Sequence, residues 1–98
     1  MEFREAVRNI IDSIPSGMIF DSHFVINQLI RNYSDEYLTF ASGYASSPNM
    51  DRLTYRVHQQ IGHVINSFNG NLIQRQSNDS WSENIHGNVN EVALWQKI

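Results

Sequence analysis

Residues 53–98 constrain this chain most, because they read as a long amphipathic helix, a stop at Asn69-Gly70 and two strand-like runs joined by a polar loop. In the helix, predicted over residues 51–68, Leu53, Val57, Ile61, Val64, Ile65 and Phe68 recur at helical spacing and form a stripe for a core. Asp51 marks its start, and Asn69-Gly70 supplies the left-handed stop. Residues 72–76 have partial strand character, and Ser77-Asn78-Asp79-Ser80 reads as a turn. Over residues 89–98, alternation places Val92, Leu94, Gln96 and Ile98 on one face and Glu91, Ala93, Trp95 and Lys97 on the other.

The front half supplies two more helices. Phe3, Ala6, Val7, Ile10, Ile11 and Ile14 fall at steps of three and one, and Pro15-Ser16-Gly17 stops that run. Met18-Ile19-Phe20 predicts a brief strand, after which Asp21-Ser22 offers an N-cap side chain to the next helix. That helix, residues 22–33, has Val25, Ile26, Leu29, Ile30 and Tyr33 on its apolar face and leaves His23, Asn27, Gln28 and Arg31 outside. Ser34 caps a further short helical segment through Phe40, with Asp35 and Glu36 near the positive end of its dipole. Residues 41–50, with Gly43, Ser46, Ser47 and Pro48, read as loop.

A chain of 98 residues, 41% hydrophobic and 17% charged, fits a single domain spanning residues 1–98. At this size nearly every large apolar side chain is needed for the core, and few remain to shape a deep catalytic pocket. The absence of cysteine excludes disulfides, thiolate zinc sites and cysteine nucleophiles. No apolar stretch approaches the roughly 20 residues that span a bilayer, and no basic region precedes an apolar run at the N-terminus. The expectation is a soluble, cytoplasmic protein without a membrane role.

The net charge of −3 argues against nonspecific coating of nucleic acid, which needs clustered Lys and Arg. Its distribution is uneven. Residues 1–50 hold six acids and three bases, whereas residues 51–98 hold four of each and three of the four histidines. The helix face left over after core burial carries Arg52, Tyr55, Arg56, Gln59, His63 and Asn66, side-chain types suited to phosphates and base edges. Arg52 and Arg56 suit phosphate or guanine, and Gln59 and Asn66 present paired donor and acceptor groups to adenine. Tyr55 suits a phosphate, or packing; His63 adds charge only when protonated. A solvated polar helix face remains the alternative to all of these.

Helix, short strand, helix, helix and a two-stranded hairpin, in that order, resembles the winged helix-turn-helix superfamily, with residues 18–20 as its first strand and residues 72–98 as its wing. The resemblance covers most of the chain and is architectural, without a diagnostic residue string. The chain departs from the usual layout in the seventeen or so residues between the two later helices, where the extra short helix falls. The resemblance implies an α+β, winged-helix-like fold of three main helices, a short strand and a C-terminal β-hairpin wing. It implies further that the helix over residues 51–68 enters the major groove while the hairpin loop, residues 77–88, touches an adjacent groove or backbone. Arg75 and His86 are then the wing contacts.

Other chemistries find little support. His58 and His63 are five apart, which turns them away from each other on a helix, so that His23 or His86 would join them only through the tertiary fold. No metal site and no cofactor are expected. Asp35 and Glu36 diverge on a helix, no Ser, His and Asp arrangement sits in a nucleophile motif, and the five glycines are too dispersed for a phosphate loop. No enzyme is expected. Gly62, in mid-helix, marks either a close backbone approach or a tolerated defect. Trp81 and Trp95 are expected in the core.

Two functions fit these residues. The first is a DNA-binding transcription regulator on double-stranded DNA, acting by site occupancy as a homodimer, with the outer face of the first helix or Tyr37, Phe40 and Tyr44 as the dimer surface. The second is a protein-binding module or inhibitor on the same scaffold without a nucleic-acid role, favoured by the acidic front half.

Overall fold

The stripe of the first helix is satisfied in α1 (Phe3–Asp12), which buries Ala6, Val7, Ile10 and Ile11. The computed structural model describes residues 1–44 and 53–98. After α1, Ile14 is also buried and the chain turns through Gly17, at φ 87°, into β1 (Ile19–Asp21). Asp21 Oδ1 accepts the Phe24 amide at 2.9 Å and so starts α2 (Ser22–Asn32) as the sequence predicts. α3 (Ser34–Ser42) follows directly, then α4 (Leu53–Asn66). The remainder is β2 (Ile73–Arg75), β3 (Ser80–Glu83), β4 (Val89–Val92) and β5 (Leu94–Lys97).

The fold is thus α+β, with four helices among the described residues where three main ones were expected. The fourth is the short segment expected after Ser34; Ser34 is its first residue and not its cap, Tyr33 takes the N-cap position without a side-chain hydrogen bond, and the helix extends to Ser42 instead of ending at Phe40. It contributes no fully buried residue. Instead Tyr37, Phe40 and, just beyond it, Tyr44 lie half-buried against the core, and the Phe3 and Phe40 rings stack at 4.0 Å between centroids. Phe40 thus packs α3 onto α1, while Tyr37 packs it onto His58 of α4.

One core joins the helices to a sheet. Val25 and Leu29 of α2 meet Val57, Ile61 and Ile65 of α4, with Phe68, Ile73 and Trp95 closing the cluster. In the three-stranded antiparallel sheet β5 lies centrally, β1 on one side and β2 on the other. Phe20 and Arg75 stand opposite Trp95 on its two neighbours, so all three share a face. Trp95 is 1% exposed, its indole N–H donating to Ser22 Oγ at 3.1 Å. Lys97 lies along the same face and donates from Nζ to the Ile14 carbonyl at 3.0 Å, so its stem is covered while its charge ends one turn past α1.

This arrangement corrects the predicted hairpin. Residues 89–98 are not one strand: the chain breaks at Ala93, and the face that carries Trp95 is the buried one, as expected for that ring. The larger ring takes the core position because it pairs across the sheet with Phe20 and finds a buried acceptor in Ser22. Likewise the loop predicted over residues 77–88 is one-third strand. Ser80 belongs to β3, which pairs with β4 in a separate two-stranded ribbon. The ribbon turns over Asn84 to Asn88, where the Asn84 side chain accepts the amides of His86 and Asn88, and Gly87 takes φ 80°.

Candidate functional site

Three consecutive residues fix where the ribbon lies. Asp21 Oδ2 accepts the Ser80 hydroxyl at 3.0 Å, Ser22 Oγ accepts the Trp95 indole, and His23 Nδ1 sits 2.6 Å from Ser82 Oγ. The α2 N-terminus thereby holds β3 and β5 together. His23, expected on the outer side of α2, is buried beneath the ribbon for this reason.

Between α4 and the ribbon lies a cleft of about 480 Å³. One wall is α4, through Tyr55, His58, Gln59, Gly62, His63 and Asn66; the other is the ribbon, through Asn84, His86, Asn90, Glu91 and Val92. Arg75, Trp95 and His23 lie between them. Of the residues singled out from sequence, Tyr55, Gln59, His63, Asn66, Arg75 and His86 come together here. Arg56 is exposed on α4 without lining the cleft, and Arg52 lies outside the described residues.

The two walls meet in a ring contact. The His86 ring stacks on Tyr55 with centroids 4.8 Å apart and planes at 28°. Tyr55 remains half exposed. Gly62 faces the cleft, and a Cβ built there meets nothing within 4 Å. Among the described residues neither another helix nor the ribbon makes the close approach that would require glycine there.

Arg75 is less available than a wing cation should be. It leaves the sheet beside Trp95, its guanidinium 5.6 Å from the ring centroid, and pairs with Asp79. A hydrogen bond with Glu91, and then Arg75, hold the Asp79 carboxyl below the usual carboxylate range. The same bond and burial push Glu91 upward. The ribbon base is thus a small network of one cation and two acids.

The histidines divide by burial. Burial, followed by the charges of His86 and His23, lowers His58 to about 4, and its Nε2 sits 2.9 Å from the Tyr37 hydroxyl. Burial also lowers His23, against the opposing pull of Asp21. His63 and His86 are exposed. Among the described residues no group of three or more His, Asp or Glu is placed to hold a metal ion.

Sequence reasoning missed His23 and His58 as parts of this site, together with Asn84, Asn90 and Glu91. His23 carried one signal, its position directly after the capping pair Asp21-Ser22. Trp81, expected in the core, is 68% exposed on the opposite face of the ribbon. It stands across from Glu91, while Glu83 stands across from Val89, and all four are exposed. Among the described residues no helix is long and apolar enough to cross a membrane. No protein family, no curated protein and no solved structure matches the chain.

Proposed function

We propose that this chain is a small winged-helix DNA-binding protein, a transcription regulator acting by site occupancy, with α4 in the major groove and the β3–β4 ribbon against the adjacent backbone. The observation that carries this reading is the outer face of α4. Tyr55, Arg56, Gln59, His63 and Asn66 are exposed together, and the sequence of α4 contains no Asp or Glu to repel phosphate. The strand order supports it as well. β1 joins the sheet beside the C-terminal strands, and the ribbon projects next to α4, as a wing stands beside a recognition helix.

With few cations per chain, affinity depends on two copies binding side by side, so a homodimer on a two-fold site is part of the proposal. Fluorescence anisotropy with a library of labelled duplexes at low salt tests it. The wild type should bind, and Arg56→Ala with Gln59→Ala should weaken binding about tenfold or more, on the scale of one lost base or phosphate contact each. Failure of the wild type to bind any duplex ends the reading.

A second reading is favoured by the outer face of the ribbon. Trp81 and Val89 are exposed there beside Glu83, an apolar and acidic combination that suits a basic protein surface better than a phosphate backbone. A partner retained after nuclease treatment, lost with Trp81→Ser and kept with Arg56→Ala, would support a protein-binding module instead.

A further inference from the structure

The cleft between α4 and the ribbon, about 480 Å³, falls within the roughly 300–1,000 Å³ of pockets that hold small organic ligands. Its polar groups are largely unspent. Among the described residues, the side chains of Gln59 and Asn66 on α4 and of Asn90 on the ribbon line it and make no hydrogen bond. His58 lines it too, and spends only Nε2, on the Tyr37 hydroxyl. No buried side-chain nitrogen or oxygen among the described residues lacks a partner, so His58 Nδ1, which has none, remains accessible.

The charges at the cleft are engaged. Arg75 pairs with Asp79, and Asp79 bonds to Glu91, so a carboxylate or phosphate ligand would have to compete for the guanidinium. Burial above all lowers His58 to about 4, which keeps its ring neutral near neutral pH. A wholly apolar ligand would strip water from the carboxamides without replacing their hydrogen bonds. The ligand that fits is uncharged, with donors and acceptors on its edge. It also has a flat surface to lie on and room beside α4. Tyr55 and His86 stack with centroids 4.8 Å apart, and Tyr55 stays half exposed. Gly62 sits one turn from both Gln59 and Asn66, and a Cβ there meets nothing within 4 Å, so the space between the two carboxamides is open.

We propose that the cleft binds a single unpaired nucleobase, which lies against the Tyr55–His86 rings and bonds through its edge to the carboxamides of Gln59 and Asn66 on one wall and Asn90 on the other. A carboxamide sets a donor beside an acceptor, which is the complement of a base edge. Tyrosine and histidine rings are the surfaces on which unstacked bases are held in proteins that read single strands. The base comes either from a free nucleoside or from a single-stranded nucleic acid, since both present the same ring and the same edge. The inference does not rest on the duplex reading, because a duplex keeps its bases stacked and paired. The two ligands share Gln59 and Asn66, so a base in the cleft and a duplex on α4 exclude each other.

The test is isothermal titration calorimetry of the full chain with adenosine, guanosine, cytidine and uridine, with ribose as the control, and with a short mixed-sequence single-stranded oligonucleotide. At least one nucleoside should bind with a Kd below about 1 mM, and ribose should not bind. Gly62→Leu fills the open space beside α4 and should abolish binding. Tyr55→Ala should weaken it about fivefold or more, the low end of what one base–aromatic stack contributes. Near-ultraviolet circular dichroism of the buried Trp95 reports whether each variant is folded. An oligonucleotide that binds about tenfold or more tightly than the nucleosides, and is displaced by them, names a strand as the source of the base; otherwise the source is the free nucleoside. Absence of nucleoside binding at about 1 mM, or binding that both folded variants leave unchanged, overturns the proposal and leaves the duplex reading standing. Nucleoside binding without duplex binding removes the duplex reading and keeps the cleft.

Discussion

His23 Nδ1 lies 2.6 Å from Ser82 Oγ, 59 positions along the chain, and this contact ties the α2 N-terminus to the first strand of the ribbon. With Asp21 on Ser80 and Ser22 on Trp95, it makes the Asp21-Ser22-His23 run the anchor of the C-terminal β structure. Because His23 is buried, removing its partner leaves a ring nitrogen without a hydrogen bond, which costs about 1–3 kcal/mol. Ser82→Ala should therefore lower stability by that order in urea unfolding. Amide exchange should speed up in Ser80 to Glu83 while α1 amides keep exchanging only through global unfolding. Uniform loss of protection across the chain would show that the contact is not local to the ribbon.

The two tryptophans should separate sharply. Trp95→Ala removes a fully buried ring from the centre of the core and should cost about 3–5 kcal/mol. Trp81→Ser changes an exposed site and should stay within about 0.5 kcal/mol. Acrylamide quenching of the two emissions offers an independent check, with the Trp81 signal in a Trp95→Phe background strongly quenched.

Stability should fall as pH is lowered, and the direction follows from His58. Its pKa is about 4 in the fold against an ordinary 6.5, so above 6.5 neither the folded nor the unfolded chain carries the proton. Between 6.5 and about 4 the unfolded chain gains it and the folded chain does not, so stability declines through that window and levels off below it. His23 is lowered in the same direction and adds to the slope. Urea midpoints measured across this range should decrease toward acid, and His58→Gln, which can still bond the Tyr37 hydroxyl, should flatten the decrease. A profile that rises toward acid would contradict the burial of these rings.

Two glycines should respond oppositely to the same substitution. A Cβ at Gly62 meets nothing within 4 Å and the residue is mid-helix, so Gly62→Ala should stabilise by up to about 1 kcal/mol. Gly70 has φ 86°, where a side chain is strained, so Gly70→Ala should destabilise by about 1 kcal/mol or more. Thermal or urea midpoints read both.

The helices were legible because their apolar residues repeat at a period that only one element satisfies: the stripes of α1, α2 and α4 and the cap at Asp21 are all visible in the sequence. β3 was not, because Ser80-Trp81-Ser82-Glu83 is polar enough to pass for a turn and its pairing with β4 is a tertiary fact. Nor could the sequence say which tryptophan is buried. That choice depends on cross-strand neighbours at Phe20 and Arg75 and on an acceptor at Ser22, 73 positions away. The α4 half of the site was readable as a polar face, yet the cleft exists only once the ribbon folds back beside it. His23 looked like surface for the same reason.

On the proposed reading the α4 face and the ribbon together meet duplex DNA. Titrating a labelled duplex into isotopically labelled protein and following backbone amide shifts tests it residue by residue. Shifts should concentrate in Tyr55 to Asn66 and in the turn from Asn84 to Asn88, with α1 unmoved. Shifts confined to α1 and α3, or no shifts at saturating DNA, would contradict it.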